Sequence, residues 1–506
     1  MPLIDKKTLW SRVKMEPRLG MLLCSGLAVL ISILGHWSLE LSLEASIMAG
    51  LAALMAICWV TEIVPIPVTS LFPLVLFPLF GIADLEAVGA NYGKPVIFLF
   101  LGGFLLALGL QRSDVHRRIA LWIIVKIGSQ PARLVFGFML ATALLSMWIS
   151  NTATVLVMLP IAMALLAESK QSGSDPELVK NFALALMLGI AYSADIGGMA
   201  TPVGTPPNLV FLELYSKLVP GSPSIGFGQW MILGLPLSIV FLISGWFMLT
   251  HFLFRFPKSG LFSESNTIQK TKLSLGPLRR DEILTVLIFI GVALLWITGE
   301  DLQLGDWKFS GWRNLLQLEM AGDASIAIAG ACLLFIIPSQ DHPGETLLTW
   351  KQTSEIPWGL LLLFGGGFAL AGGFQASGLS NEIGNALTGL AGIHPALLVV
   401  VICVVITFLT EVTSNTATTT LILPILAEAS DTLGINPVLL MIPATLSASC
   451  AFMMPVASPT QAIVFGSGYV PIRQMVRAGI WFNLLGIVLV TALFLLLAGP
   501  VFDARW

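Results

Sequence analysis

MWISNTATVLVMLP (147–160) and EVTSNTATTTLILP (411–424) carry the same five residues, SNTAT, inside long apolar surroundings. Each copy runs into a Leu-Pro pair, Leu159-Pro160 and Leu423-Pro424. Hydroxyl and amide groups are costly in an apolar setting unless they bind something. Two matched copies therefore raise the question of what they hold.

The rest of the chain sets the solvent. Over 506 residues it is 56% hydrophobic and 11% charged, with a mean hydropathy of +0.89. Soluble domains carry about 25% charged residues, so this chain belongs in a bilayer. A net charge of −3 nominates neither nucleic acid nor an anionic surface as a partner. Cys24, Cys58, Cys332, Cys403 and Cys450 all lie in apolar stretches with no metal-ligand or disulfide spacing, and read as small buried hydrophobes. The five histidines are scattered near span ends without ligand spacing. Nothing pairs a nucleophile with a base or forms a phosphate loop, so the sequence does not support an enzyme or a cofactor. The basic segment 1–18 and apolar run 19–35 lack a cleavage site, so the run reads as a retained first span.

A spanning helix needs about 20 apolar residues. The expected spans are 19–36, 46–64, 67–82, 95–111, 181–214, 229–254, 282–299, 323–338, 357–376, 437–469 and 475–499. Two further stretches, 134–167 and 394–428, carry the SNTAT copies and have polar or Gly/Pro residues near their centres, as a pair of short helices would. Cytoplasmic loops collect Lys and Arg. Basic residues gather at Lys6, Lys7, Arg12, Lys14 and Arg18, at Arg112, Arg117, Arg118 and Arg133, and in the loop 255–281. Residues 300–323 are instead acidic, with Glu300, Asp301, Asp306, Glu319 and Asp323. All three basic segments share one side only if 134–167 enters and leaves from that side as a re-entrant hairpin.

GGFLLALGLQRS (102–113) is echoed by GGFALAGGFQAS (366–377). This pair and the SNTAT pair are both displaced by 264 residues (102 to 366, 150 to 414). One offset for two matches means a duplicated unit. Five spans separate equivalent helices, so the copies cross the membrane in opposite directions, as in many secondary transporters. The expected organisation is a first segment 1–44, a first repeat 45–254 with hairpin 134–167 and broken span 181–214, a basic cytoplasmic loop 255–281, and a second repeat 282–506 with hairpin 394–428 and broken span 437–469.

Each hairpin is followed by a span with a break, GGMATPVGTPPNLVF (197–211) and FMMPVASPTQAIVF (452–465). Glycine and proline interrupt helices, and unwound backbone at membrane depth must be buried in protein or line a wet cavity. Freed carbonyls with Ser, Thr and Asn oxygens suit a hard cation. Freed amides at half-helix N-termini suit an anion. One break alone has an ordinary packing explanation; two, each paired with an SNT hairpin, favour a binding role. No Lys or Arg lies in either hairpin core or break, so a dianion there needs co-bound cations. Asp195, just before the first break, and Glu411, just before the second SNT, are acids in the membrane and so candidates for function. Glu411 serves either the site or the backbone amides of its own hairpin, and Glu62 in WVTEIVP is expected to give similar support.

These motifs resemble the divalent anion/sodium symporter (DASS) family, including the INDY-type sodium/dicarboxylate transporters. The resemblance runs from WVTEIVPIPVTSLFPL (59–74) through both SNT hairpins and GTPPN (204–208) to the broken span near residue 457. It implies an all-α polytopic membrane protein with about eleven transmembrane helices plus two re-entrant hairpins, divided into scaffold and transport domains. A homodimer of elevator type in the bacterial plasma membrane, N-terminus cytoplasmic, is implied too. One sodium site would use Ser146, Ser150, Asn151 and the Gly204 carbonyl; the other would use Asn415 with the carbonyls of Thr410, Thr413 and Ala457. The anion would be held by Asn151, Thr152, Ser414, Asn415 and Thr416, near Thr205-Pro206 and Ser458-Pro459. The family often keeps Thr-Pro at both breaks, and Ser458 here departs from that, which bears on substrate preference. The implied activity is sodium-coupled symport of small di- or tricarboxylates such as succinate, fumarate and malate. The alternatives are a sodium-independent carboxylate antiporter of the same fold, a sulfate or citrate carrier, and a channel.

Overall fold

The computed structural model describes residues 17–128, 130–171, 176–219, 221, 224–255, 273, 275–304, 307–318, 320–387, 389, 392–502 and 504. Lys6, Lys7, Arg12 and Lys14, most of the basic loop 255–281, and Asp306 and Glu319 lie outside the described residues. Among the described residues the regular structure is helical apart from one short antiparallel pair, Leu302–Leu304 with Trp307–Phe309, in which Leu302 faces Phe309, and a single bridge between Pro338 and Thr346. Among the described residues seven helices are long and apolar enough to cross a membrane, and six shorter apolar helices accompany them. This is an integral, multi-pass membrane protein.

Two compact units are formed, Met1–Lys94 with Trp358–Gly389, and Pro95–Pro357 with Leu390–Trp506. In the first, Pro17–Ser38 packs along Leu43–Thr61. The stretch expected as a single span at 67–82 is two helices, Ile66–Thr69 and Phe72–Leu79. Pro73 fits the restart, because it lacks the N–H a continuous helix would donate to the Thr69 carbonyl and is tolerated in the first turn of the new helix. Ser70, between them, is a hub. Its hydroxyl accepts from Trp59 Nε1 at 3.1 Å and donates to the Ile66 carbonyl at 2.7 Å, while its carbonyl accepts from the Tyr92 hydroxyl at 2.5 Å. Glu62 gives no buried support of the kind expected: it is exposed and ends Leu43–Thr61 in a left-handed turn at φ 50°.

In the second unit Pro95–Arg112 packs on Asp323–Ile336. A Cβ at Gly102 would come within 2.5 Å of Ala327 Cβ. At Gly366, the matching repeat position in the first unit, a Cβ would come within 2.4 Å of the Ser70 carbonyl. Glycine at both positions lets helices meet backbone to backbone. The basic segment after residue 112, read as a loop, is in fact an amphipathic helix, Val115–Ile127. It buries Val115, Ala120, Leu121 and Ile124 and turns Arg118 to Glu282 at 2.9 Å. In the acidic segment, buried Arg313 pairs with Asp323 and with Glu300.

Both stretches that carry SNTAT are two helices joined by a tight turn: Pro131–Ser146 with Asn151–Gln171, and Pro395–Leu409 with Asn415–Leu433. Both arms of each hairpin pack on the first half of the broken span that follows, Pro176–Gly198 or Val438–Ala448. The second halves are Pro206–Leu218 and Pro459–Gly466. Behind the breaks Tyr192, Phe241, Phe452 and Phe482 form an aromatic core, with Tyr192 and Phe482 centroids 4.5 Å apart.

Candidate functional site

The two hairpin tips are built alike. Ser146 ends one first arm and Thr410 caps the other, while Asn151 and Asn415 open the second arms. Ser146 Oγ donates to Asn151 Oδ1 at 2.6 Å, and Thr410 Oγ1 donates to Asn415 Oδ1 at 2.7 Å. Both ties span five residues, so a chain reversal this tight puts a hydroxyl and an amide oxygen side by side. Ser150 Oγ accepts from the Ala153 N–H at 3.3 Å. Ser414 is an extended N-cap whose side chain makes no cap bond.

The first break closes over this tip. Thr201 Oγ1 donates to the Met147 carbonyl at 2.5 Å and accepts from the Gly204 N–H at 3.1 Å. Asn208 Nδ2 donates to the carbonyls of Gly198 and Thr201. Gly198 is the hollow of the arrangement. A Cβ there would lie 2.8 Å from Asn151 Oδ1, 3.0 Å from the Gly204 carbonyl and 3.2 Å from Thr205 Cβ. The missing side chain lets an amide oxygen and a freed carbonyl oxygen face the same small space. That donor set fits a hard, oxygen-seeking cation.

The half-helices leave their breaks in matching ways. Thr205 (φ −142°, ψ 141°) precedes Pro206-Pro207, and Ser458 (φ −148°, ψ 154°) precedes Pro459. Proline at the first turn costs no hydrogen bond, since that N–H is unpartnered in any helix. The packing is crosswise: Asn151–Gln171 of the first hairpin lies on Pro459–Gly466, and Asn415–Leu433 of the second lies on Pro206–Leu218.

The two acids take different places. Glu411 accepts from the N–H groups of Phe452, Met453 and Met454 at 2.8–3.1 Å and from Asn483 Nδ2 at 2.7 Å. The amides it holds belong to the second break, not to its own hairpin. Asp195, 2% exposed, accepts from Asn151 Nδ2 at 3.0 Å, Thr460 Oγ1 at 2.9 Å and Gln461 Nε2 at 3.1 Å.

Of the residues expected at the first cation site, Ser146, Asn151 and Gly204 converge, and Ser150 stands on the same tip. At the second, Thr410 and Asn415 are joined. The Thr413 hydroxyl meets Thr418 Oγ1 at 2.5 Å and the Ala457 N–H bonds the Met454 carbonyl, neither of which involves the Thr413 or Ala457 carbonyls expected to face the cation. Thr152 is half-buried and Thr416 buried, each one residue into a second arm. Thr205 is buried, Pro206 half-buried and Pro459 exposed. The Ser458 hydroxyl lies against Thr460 Oγ1 at 2.6 Å and 3.4 Å from Asp195. Sequence reasoning missed Thr201, Asn208, Thr460 and Gln461. The available signal was an amide residue three places after each break residue, Asn208 after Thr205 and Gln461 after Ser458.

This helical architecture is that of known membrane transporters. MtrF of Neisseria gonorrhoeae, from a class of antimetabolite efflux pumps, matches at a TM-score of 0.54 with 15% identity, covering 81% of this chain and 83% of MtrF. The family profile described as "Sodium:sulfate symporter transmembrane region" matches residues 21–501, and the chain belongs to that family. The sodium-dependent dicarboxylate transporter SdcS of Staphylococcus saprophyticus is 41% identical over 451 residues, covering 88% of this chain and 85% of SdcS. SdcS of Staphylococcus aureus is 40% identical over 473 residues, covering 93% and 89%.

Proposed function

We propose that this protein is a sodium-coupled symporter that carries small dicarboxylates, such as succinate, fumarate or malate, across the bacterial plasma membrane. The carrying observation is the repeated tip, in which Ser146–Asn151 and Thr410–Asn415 present paired oxygens beside a helix break. Sodium is cargo here, not a resident cofactor. It would be held at the first tip by Ser146, Ser150, Asn151 and the Gly204 carbonyl, and at the second by Asn415 with the carbonyls of Thr410, Thr413 and Ala457. The names of the SdcS relatives support both sodium and dicarboxylate.

The charge argument supports symport over exchange. Residues 146–154, 197–208, 410–418 and 451–461 contain no Lys, Arg or His, so bound cations must offset a dianion. Hydroxyls of Thr152 and Thr416, amides of Asn151 and Asn415, and the N-terminal ends of the half-helices near Thr205-Pro206 and Ser458-Pro459 would orient its carboxylates, with Ser414 beside them. The reading includes a homodimer working by elevator displacement, with the N-terminus cytoplasmic and the two hairpins entering from opposite sides.

The test is uptake of labelled succinate into proteoliposomes. An inward sodium gradient is expected to drive concentrative uptake, and choline in its place at fixed pH is expected to abolish it. Uptake unchanged in choline, or uptake only into vesicles preloaded with a second carboxylate, would identify an exchanger instead. The family description includes sulfate, so unlabelled sulfate belongs among the competitors; displacement of succinate by sulfate alone would redirect the substrate assignment.

A further inference from the structure

Asp195 is not among the residues assigned above to cation or anion, yet it connects the two halves of the site. Its carboxylate is buried and accepts from Asn151 Nδ2, Thr460 Oγ1 and Gln461 Nε2, with Ser458 Oγ at 3.4 Å. One donor comes from the first SNT tip and the others from the second broken span. All are neutral, and among the described residues no ion pair reaches Asp195. Two of the donors are amides or hydroxyls of the second broken span and one is the Asn151 amide, so the carboxylate is held in place by hydrogen bonds alone. When ionised, this carboxylate has no protein counter-ion among the described residues, and a cation bound nearby is what would compensate it.

Asn151 carries the effect to the pocket. An amide has a donor end and an acceptor end. With Nδ2 committed to Asp195, Oδ1 is left facing Ser146 Oγ and the hollow at Gly198, beside the Gly204 carbonyl. Asp195 therefore fixes which end of Asn151 a cation meets. At the second tip the nearby acid, Glu411, is bonded to the amides of 452–454 and to Asn483, and among the described residues no carboxylate meets Asn415. Asp195 lies ten residues before Thr205, and the residue ten before Ser458 is Ala448.

Resting on the symport reading above, we propose that Asp195 is a positioning residue that makes the first sodium site the tighter of the two. It presents the Asn151 oxygen and supplies an uncompensated negative charge. That charge also opposes the dianion until sodium has bound, so it enforces sodium before substrate.

The two effects have opposite signs, which separates them from simple damage. Asp195→Asn is close in shape and neutral. In proteoliposomes, the sodium concentration for half-maximal succinate uptake is expected to rise about ten- to a hundredfold, the size of a unit-charge interaction across roughly 6–12 Å at an effective dielectric near 20. Succinate affinity at saturating sodium is expected to stay equal or tighten. Asp195→Ser, smaller and also neutral, gives the same two readouts should the Asn variant fail to fold. Unchanged sodium half-saturation, or sodium and succinate affinities weakening in parallel, would overturn the proposal. The parent carrier is measured first: if its own uptake ignores sodium, the symport reading falls as well, whereas a sodium-dependent parent matched by its variants removes only the role of Asp195.

Discussion

On the symport reading, Asn151 and Asn415 each stand where one side chain would serve two ligands. The Asn151 amide spans Ser146 and Asp195 within hydrogen-bond distance of both, so removing it strips both the cation pocket and the link to the second broken span. Asn151→Ala and Asn415→Ala are expected to weaken sodium activation and succinate affinity together. Thr152→Ala and Thr416→Ala remove one hydroxyl each from the anion's side, and are expected to weaken succinate with little change in sodium activation. A hydrogen bond to a charged group is worth about 1.5–3 kcal/mol, or roughly ten- to a hundredfold in affinity. Binding of succinate to purified, folded variants at graded sodium checks both expectations. Parental affinity in the Thr and Asn variants would move the site elsewhere.

At the level of elements, the second break is held open by a carboxylate. Glu411 gathers three successive backbone N–H groups, at Phe452, Met453 and Met454, and Asn483 reaches it from the last helix, Ile472–Phe502. Glu411→Gln would turn a donor toward donors and forfeit at least one charge-assisted bond. A loss of about 3 kcal/mol or more in stability is expected, read as a lower thermal midpoint in detergent. An unchanged midpoint would show that the break holds itself. The breaks were legible because Gly and Pro announce interrupted helices, and the hairpin turns because polar residues cluster there. Helix Val115–Ile127 was not, because Arg117, Arg118 and Lys126 made it look like a loop. Its apolar stripe, not its overall hydropathy, is what buries it. The pairing of Glu411 with 452–454 was missed because the nearest backbone amides in sequence were the obvious partners.

For the molecule as a whole, the two hairpins are expected to open to opposite sides of the membrane. A cysteine placed at Ser172, outside the described residues, is expected to react with impermeant reagents only from the cytoplasm, and one at Thr432 only from outside. Reaction of both from one face would remove the inverted repeat. The background must first be cleared: Cys24, Cys58, Cys403 and Cys450 are buried, whereas Cys332 is exposed. The common offset and the repeated motif are what the sequence itself offers for a duplication. What no pattern in the chain disclosed is that the halves are pinned crosswise, through Asp195 to Thr460.

That crosswise pinning sets a timetable for synthesis. Asp195 meets Thr460 only after 265 further residues have been made. At about 5–20 residues per second the wait is roughly 15–50 s. Throughout it a membrane-embedded acid lacks three of its final donors, and the ribosome is still occupied with the second half. An unfinished chain therefore exposes a polar seam that the finished one hides, and a stalled or truncated product ending before Ser458 is a natural target for membrane quality-control proteases.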